Sequence, residues 1–335
     1  MIRLNNFLSR ATQKVAWAAG GIIPEVVRVQ TETMVFNYVT KRIKKQVVIH
    51  GKANSPLVFC IVHWNAPDYL LLNIRQIQLL YPQSKIYVLD NGSQQVNLDA
   101  AKRGLKKFNN VTFFVAKRQY GNLVARLISE SLFDSFDSYS HSKALQFLLN
   151  YSTEQSDEIA VFLDQDCILS NNIDYLLGKF GKDVVLIGAR DYLVVPHNYG
   201  PLKKGVRRDY GMFVHASFMI LQPQRIKRLL GNFSFETLNC FREPYHNISF
   251  KTMGKILYLR TQMHETIPNL TRYMHQNITY AWHAWYSTYR DRPGYRFQSK
   301  LDNYPISWLE EVQKLAFDYL SQISTDDASQ VLART

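Results

Sequence analysis

From residue 57 onward the apolar positions fall into two alternating arrangements. Short unbroken apolar runs read as buried strands, and apolar residues at three- and four-residue spacing read as helices. Leu57 to Val62 (LVFCIV) is a run of the first kind. Pro67 then opens a helix carrying Leu70, Leu71, Ile74, Ile77 and Leu80 on one face, with Asn65 standing where an N-cap is expected. Ile86 to Leu89 (IYVL) follows at the spacing of a βαβ unit. Further strands are predicted at 111–115, 159–163 and 184–187, with helices near 98–108 and 141–150. Such alternation predicts an α/β fold: a mainly parallel twisted sheet flanked by helices on both faces.

The two ends of the chain differ from this body. Before residue 57, Phe36, Val39, Ile43 and Val47 recur at helical spacing with Lys41, Arg42, Lys44 and Lys45 among them. Residues 1–56 therefore read as a basic helical extension that either rests on an anionic membrane surface or docks on the body. A last amphipathic helix is predicted near 307–322, and the tail from Ser324 is polar. The expected division is 1–56 extension, 57–323 body and 324–335 flexible tail.

Charge sharpens the picture of the extension. Of the formal +13, the first 56 residues supply +7, from nine Lys/Arg against two Glu. Anionic lipid, nucleic acid and anionic substrates would all answer to that charge. No zinc-finger spacing, RNP-like aromatic pair or GxxG clamp accompanies it, so no nucleic-acid partner is expected. No run approaches the roughly 18 apolar residues of a membrane-spanning helix. Val15 to Ile23 follows Lys14 but lacks a small-residue cleavage site, so the chain is expected to be unexported. Cys60, Cys167 and Cys240 are odd in number and widely spaced, which suits a reducing, cytoplasmic setting.

The chemistry is concentrated at Glu158 to Leu169 (EIAVFLDQDCIL), where an apolar strand ends in Asp164 and Asp166. Alternate side chains of an extended chain share a face, which puts both carboxylates together and Gln165 opposite. Two carboxylates offer hard oxygen ligands to Mg²⁺ or Mn²⁺, and such an ion can stabilise a departing diphosphate. The spacing alone is weak, since 17 Asp in 335 residues give about one Asp-x-Asp by chance. Its setting is stronger. His63 to Asn65, Asp90 to Ser93 and Asp164 to Asp166 all fall at the carboxyl ends of predicted strands, where α/β sheets bind ligands. Seven Asn-x-Ser/Thr triplets, one of them Asn91-Gly92-Ser93 at this rim, are treated as compositional.

From Leu57 to Arg290 these blocks resemble, in order, the glycosyltransferase family 2-like enzymes of GT-A fold. IVHWNAPDYLLLNIRQI is similar to the family's first βα unit, and IYVLDNGS to its second strand. HSKALQFLL with EIAVFLDQD is similar to the helix and metal-binding strand. Phe241-Arg242-Glu243 and the later ILYL are similar to the acceptor-site segment and the strand behind it. The resemblance implies a GT-A-like, Rossmann-like fold and an inverting transfer from a UDP- or dTDP-sugar to a glycan or lipid-linked acceptor, in polysaccharide biosynthesis. Asp90 would contact the nucleobase or ribose, with His63, Asn65 and Asn91 beside it. Asp164 and Asp166 would hold Mn²⁺ or Mg²⁺ against the donor diphosphate. His141 and Lys143, read as opening the next helix, would approach the donor's phosphates. Glu243 would be the base, with Glu236 in reserve, although the family's acidic pair is here Arg242-Glu243. A late histidine would complete the metal shell. His264 and His283 both qualify, and His283 is favoured because Ser287 and Arg290 lie near it in sequence.

Other segments carry expectations of their own. His215 to Ile220 is similar to the strand near the acceptor. Lys203, Lys204, Arg207 and Arg208 suit a charged acceptor or a lipid phosphate, and Trp282, Trp285 and Tyr286 are able to stack on a sugar or fill a core. Two rival readings are a nucleotidyltransferase and a non-catalytic basic protein that binds lipid or nucleic acid. The first would carry a glycine-rich basic loop where this chain has HWNAPDY.

Overall fold

The computed structural model describes residues 43–118, 136–181, 184–195, 208–230, 256–265 and 270–284. The elements in chain order are β1 (Ile43–Ile49), β2 (Leu57–His63), α1 (Pro67–Leu80), β3 (Lys85–Asp90), α2 (Gln95–Leu105), β4 (Val111–Arg118), α3 (Phe136–Glu154), β5 (Ile159–Asp164) and β6 (Cys167–Leu169). Then follow α4 (Asp174–Leu177), β7 (Leu186–Val195), β8 (Arg208–Leu221), α5 (Pro223–Leu230), β9 (Ile256–Met263), β10 (Leu270–His275) and β11 (Ile278–Ala284). Residues 1–42, the segment 307–322 and the tail lie outside the described residues.

The strands pair in the order β1-β4-β3-β2-β5-β8-β7-β9-β10-β11-β6. Strands β4, β3, β2 and β5 form a parallel block, and β7 pairs with β9 in parallel. The remaining pairings, β1–β4, β5–β8, β7–β8, β9–β10, β10–β11 and β11–β6, are antiparallel. The expected mainly parallel sheet is thus a mixed one. Apolar runs report that a strand is buried on both faces and not which way its neighbours run.

Two apolar layers sandwich the parallel block. Along β2, Val58, Cys60 and Val62 pack on Leu145, Leu148 and Leu149 of α3. Phe59 and Ile61 face the other way, onto Ile74 and Ile77 of α1 and Leu105 of α2. Period-2 alternation of this kind needs apolar residues at every position, which is why LVFCIV is unbroken. Each fully buried large side chain contributes about 1.5–3 kcal/mol.

Two segments depart from what their sequence predicts. Ile43–Ile49 is not helical but an edge strand paired with β4. Residues four apart share a face in a strand as well as in a helix, so Ile43 and Val47 fit both. Asn65 is not the cap of α1. That position is Ala66, while Asn65 adopts a left-handed φ of 53° and turns its side chain toward the next loop.

The chain's path around Asp164 positions the site. Strand β5 stands fifth in the order and β6 last, yet only Gln165 and Asp166 connect them. The three steps from Asp164 to Cys167 span at most about 11 Å. The far end of the sheet must therefore curl back until β6 and its neighbour β11 stand beside β5.

Candidate metal and donor site

Strand β5 delivers Asp164 at its last residue, and the turn Gln165-Asp166 delivers the second carboxylate. Strand β11 pairs antiparallel with β6 so that His283 faces Cys167, and the Ala284 amide donates to the Asp166 carbonyl at 2.9 Å. The result gathers Asp164, Asp166 and His283, with one ligand atom from each lying within 4.8 Å of the others. His283 Nε2 stands 3.7 Å from Asp164 Oδ2 and 3.4 Å from Asp166 Oδ1. Ligands about 2.1 Å from an octahedral ion sit roughly 3 Å apart on adjacent positions, and the two His283 distances come within about 1 Å of that spacing. Two hard oxygens and one imidazole suit either ion, and the imidazole favours manganese.

The turn is held from two sides by residues that sequence patterns do not single out. Asn73, fully buried on α1, donates its side-chain amide to the carbonyls of Asp164 at 3.2 Å and Cys167 at 2.9 Å. Gln165 lies in the turn and not in the extended strand, so strand alternation does not govern it, and its side chain is not idle. Its carbonyl accepts from the Trp64 amide at 2.9 Å and meets His63 Nδ1 at 2.7 Å, and its amide donates to the Trp64 carbonyl at 2.9 Å. Gln165 thereby locks the end of β2 to the acidic turn.

Three imidazoles surround Asp164. Besides His283, His141 of α3 places Nε2 3.0 Å from Asp164 Oδ1, and His215 of β8 has its ring 6.0 Å from that of His283. Burial opposes ionisation of Asp164, yet His141, His283 and His215 together hold its carboxyl well below the usual carboxylate range. The same pairing works in reverse on His141. Burial lowers its affinity for a proton, but Asp164 and then Asp166 raise its pKa above the ordinary value. His215 goes the other way: burial takes it down to about 4, against the pull of Asp164 and with the push of the other two rings.

The second half of the rim is built at the ends of β2 and β3, where His63 and Asp90 are register partners. Asp90 is fully buried, and its Oδ2 accepts from the amides of Gly92 and Ser93, each at 3.1 Å. That tight turn needs Gly92, whose φ of 86° other residues rarely adopt. His63 Nε2 lies 3.9 Å from Asp90 Oδ1, and neither atom has a hydrogen-bond partner among the described residues. Burial lowers the pKa of His63 although Asp90 and Gln165 oppose the shift, so the ring is neutral near pH 7. Asn65 ties the two loops together: its side-chain oxygen accepts from the Gln94 amide at 2.7 Å, and its backbone amide donates to Ser93 Oγ at 2.9 Å. The Asn91 amide donates to the His63 carbonyl at 2.8 Å.

The remaining sequence candidates divide into three groups. His141 belongs to α3 but not to its N-terminus: the helix begins at Phe136, so the end-of-helix field expected for His141 and Lys143 has faded there. His264 is not in the cluster. It packs 5.6 Å from the ring of Trp282, which itself is buried with Tyr69 and Leu72 as core. Glu236, Arg242, Glu243, Lys203, Lys204, Arg207, Trp285, Tyr286, Ser287 and Arg290 lie outside the described residues. Among the described residues no helix is long and apolar enough to cross a membrane.

No protein-family model and no curated protein sequence matches the chain. Solved structures do. One is the mannosyltransferase PcManGT from Pyrobaculum calidifontis in complex with GDP-Man and Mn²⁺, 12% identical over 98% of this chain and 90% of that one, with a TM-score of 0.38. Another is glucosyl-3-phosphoglycerate synthase from Mycobacterium tuberculosis with Mn²⁺, UDP and phosphoglyceric acid, 15% identical over 61% and 68% at a TM-score of 0.36. The galactosyltransferase LgtC with donor and acceptor sugar analogs is 15% identical over 60% and 72% at a TM-score of 0.36. These are distant likenesses, and what the site does has to be read from its own side chains.

Proposed function

We propose that this chain transfers a sugar from a nucleotide-sugar donor, a UDP- or dTDP-sugar, to a glycan or lipid-linked acceptor. The observation that carries the reading is the meeting of Asp164, Asp166 and His283 at the carboxyl end of a parallel block, two strands from the buried Asp90 turn. That spacing suits a ligand with a diphosphate at one end and a nucleoside at the other. Asp164, Asp166 and His283 would hold Mn²⁺ or Mg²⁺, which when bound neutralises charge on the departing diphosphate. Asp90 Oδ1 and His63 Nε2, two acceptors side by side, would take a donor hydrogen from the base or ribose, and Asn91 flanks them. His141 would stand beside the donor phosphates with its proton retained by Asp164.

Glu243 is proposed to accept the proton of the attacking acceptor hydroxyl, with Glu236 in reserve, giving inversion at the anomeric carbon. That assignment rests on the sequence resemblance alone. Lys143 and the basic residues Lys203, Lys204 and Arg207 are proposed to meet phosphate or a charged acceptor. The basic segment 1–56 is proposed to contact anionic lipid at the inner face of a membrane.

The test is thermal stability of the full chain against a panel of nucleoside diphosphates, with and without Mn²⁺, for wild type and Asp166→Ala. A ligand at 100 times its Kd stabilises the folded state by about 2.7 kcal/mol. A Mn²⁺-dependent rise with one nucleotide, absent in Asp166→Ala, is expected and would name the donor class. No rise with any nucleotide would end the sugar-transfer reading.

A further inference from the structure

Behind His283 runs a chain of hydrogen bonds that the reaction itself does not require. His283 Nδ1 meets Tyr273 Oη at 2.7 Å, Tyr273 Oη meets Ser217 Oγ at 2.6 Å, and Ser217 Oγ meets His215 Nδ1 at 2.7 Å. Three strands supply it: β8 gives His215 and Ser217, β10 gives Tyr273 and β11 gives His283. Ser217, Tyr273 and His283 are 0%, 1% and 3% exposed, so water cannot stand in for a missing member.

The direction of this chain is fixed at one end. The backbone amide of Ser217 donates to His215 Nδ1 at 3.1 Å, and a backbone N–H is always a donor. His215 Nδ1 is therefore an acceptor, carrying an electron pair and no proton. Ser217 Oγ, also against that nitrogen, must then turn its single hydrogen toward it. With that hydrogen committed, Ser217 Oγ accepts from Tyr273. The Tyr273 hydroxyl, having given its hydrogen to Ser217, accepts in turn from His283 Nδ1–H. Every hydrogen bond in the series follows from the first.

We infer that His215, Ser217 and Tyr273 are positioning residues that hold a proton on His283 Nδ1, so that Nε2 is the nitrogen left to offer its electron pair toward Asp164 and Asp166 for a divalent cation. The opposite tautomer is the natural competitor. Two carboxylates at 3.4 and 3.7 Å attract a proton to Nε2, and an Nε2–H cannot bind a metal. Second partners of metal-binding histidines orient the ring and select its tautomer, and removing them typically costs 10–100-fold in affinity. The inference rests on the metal site proposed above, but it concerns a property of the metal-free chain.

Long-range ¹H–¹⁵N correlation on the full-length, metal-free protein labelled at histidine nitrogen reads the tautomer directly, with His283→Gln identifying the resonances. Wild type is expected to show His283 protonated at Nδ1 and bare at Nε2. Tyr273→Phe and Ser217→Ala should each bring in an Nε2–H population. Mn²⁺ titration followed by electron paramagnetic resonance should show affinity reduced about 10–100-fold in both. The double variant should lose no more than Tyr273→Phe alone, because the members act as one series. If Tyr273→Phe fails to fold, His215→Leu breaks the same series from its half-buried end. An Nε2–H in wild type, or an unchanged tautomer in the variants, overturns the inference. Wild type with Nδ1–H that binds no Mn²⁺ supports the relay and overturns the metal reading instead.

Discussion

Asp164 is the residue on which most of the site's electrostatics turn, because three histidines stand around it and it raises the pKa of His141 while burial depresses that of His215. His215 shows this most clearly. In the folded protein burial holds its pKa at about 4, whereas an unfolded histidine titrates near 6.5. Between those values the unfolded chain binds a proton that the folded chain excludes. Stability present above about pH 6.5 is therefore lost as pH falls toward 4. Urea unfolding between pH 7.5 and 4.5 should show wild type losing stability on acidification more steeply than His215→Leu. Parallel slopes would contradict the assignment. At this scale the sequence disclosed the residues whose chemistry is their own: Asp164, Asp166 and His283 are of types able to ligate a metal wherever they stand. Asn73, Gln165 and Tyr273 are not, since an amide or a phenol acquires its role only from the groups that the fold sets against it.

Among the elements, strands β2, β3 and β5 were plain in the sequence as unbroken apolar runs, and helix α1 by its apolar residues at three- and four-residue spacing behind Pro67. Strand β6, with three residues, is too short to carry any pattern, although it is what brings His283 to the site. Strand β1 hides behind a spacing of four that serves helix and strand alike. The pairing of β7 with β8 depends on one glycine. A Cβ at Gly188 would come 2.3 Å from Val214 Cγ1, 2.7 Å from the Phe218 carbonyl and 3.3 Å from Met219 Cα. The valine methyl can rotate away, but backbone cannot. Gly188→Ala should therefore destabilise the protein by about 1–3 kcal/mol in chemical denaturation, the usual cost of overpacking. A change under about 0.5 kcal/mol would show that β7 and β8 are not so closely set.

For the molecule as a whole, the order of strands matters more than their number. Strand β1 closes one edge by pairing with β4, and Asp164, Asp166 and His283 lie on or beside strands that are not its neighbours. Removing residues 1–50 should uncover the β4 edge, a ready template for pairing between chains. Light scattering should report aggregation of that truncation. Removal of 1–42, which leaves β1 in place, should give a monodisperse protein that has lost affinity for anionic vesicles. Equal aggregation of both would mean that β1 does not guard the edge.

The curl that returns the last strands to β5 also decides when the site can exist. Ser170 Oγ, at the end of β6, donates to the Thr279 carbonyl of β11 across 109 residues of chain. For a flexible segment of that length, closure costs on the order of 4 kcal/mol of entropy before any contact repays it. Local units such as β2–α1–β3 meet no such delay. The acidic turn and its histidine are therefore expected to join late in folding, and an immature chain, however much of its sheet is assembled, would lack the cluster of Asp164, Asp166 and His283. Metal capture would mark the moment at which the molecule is finished.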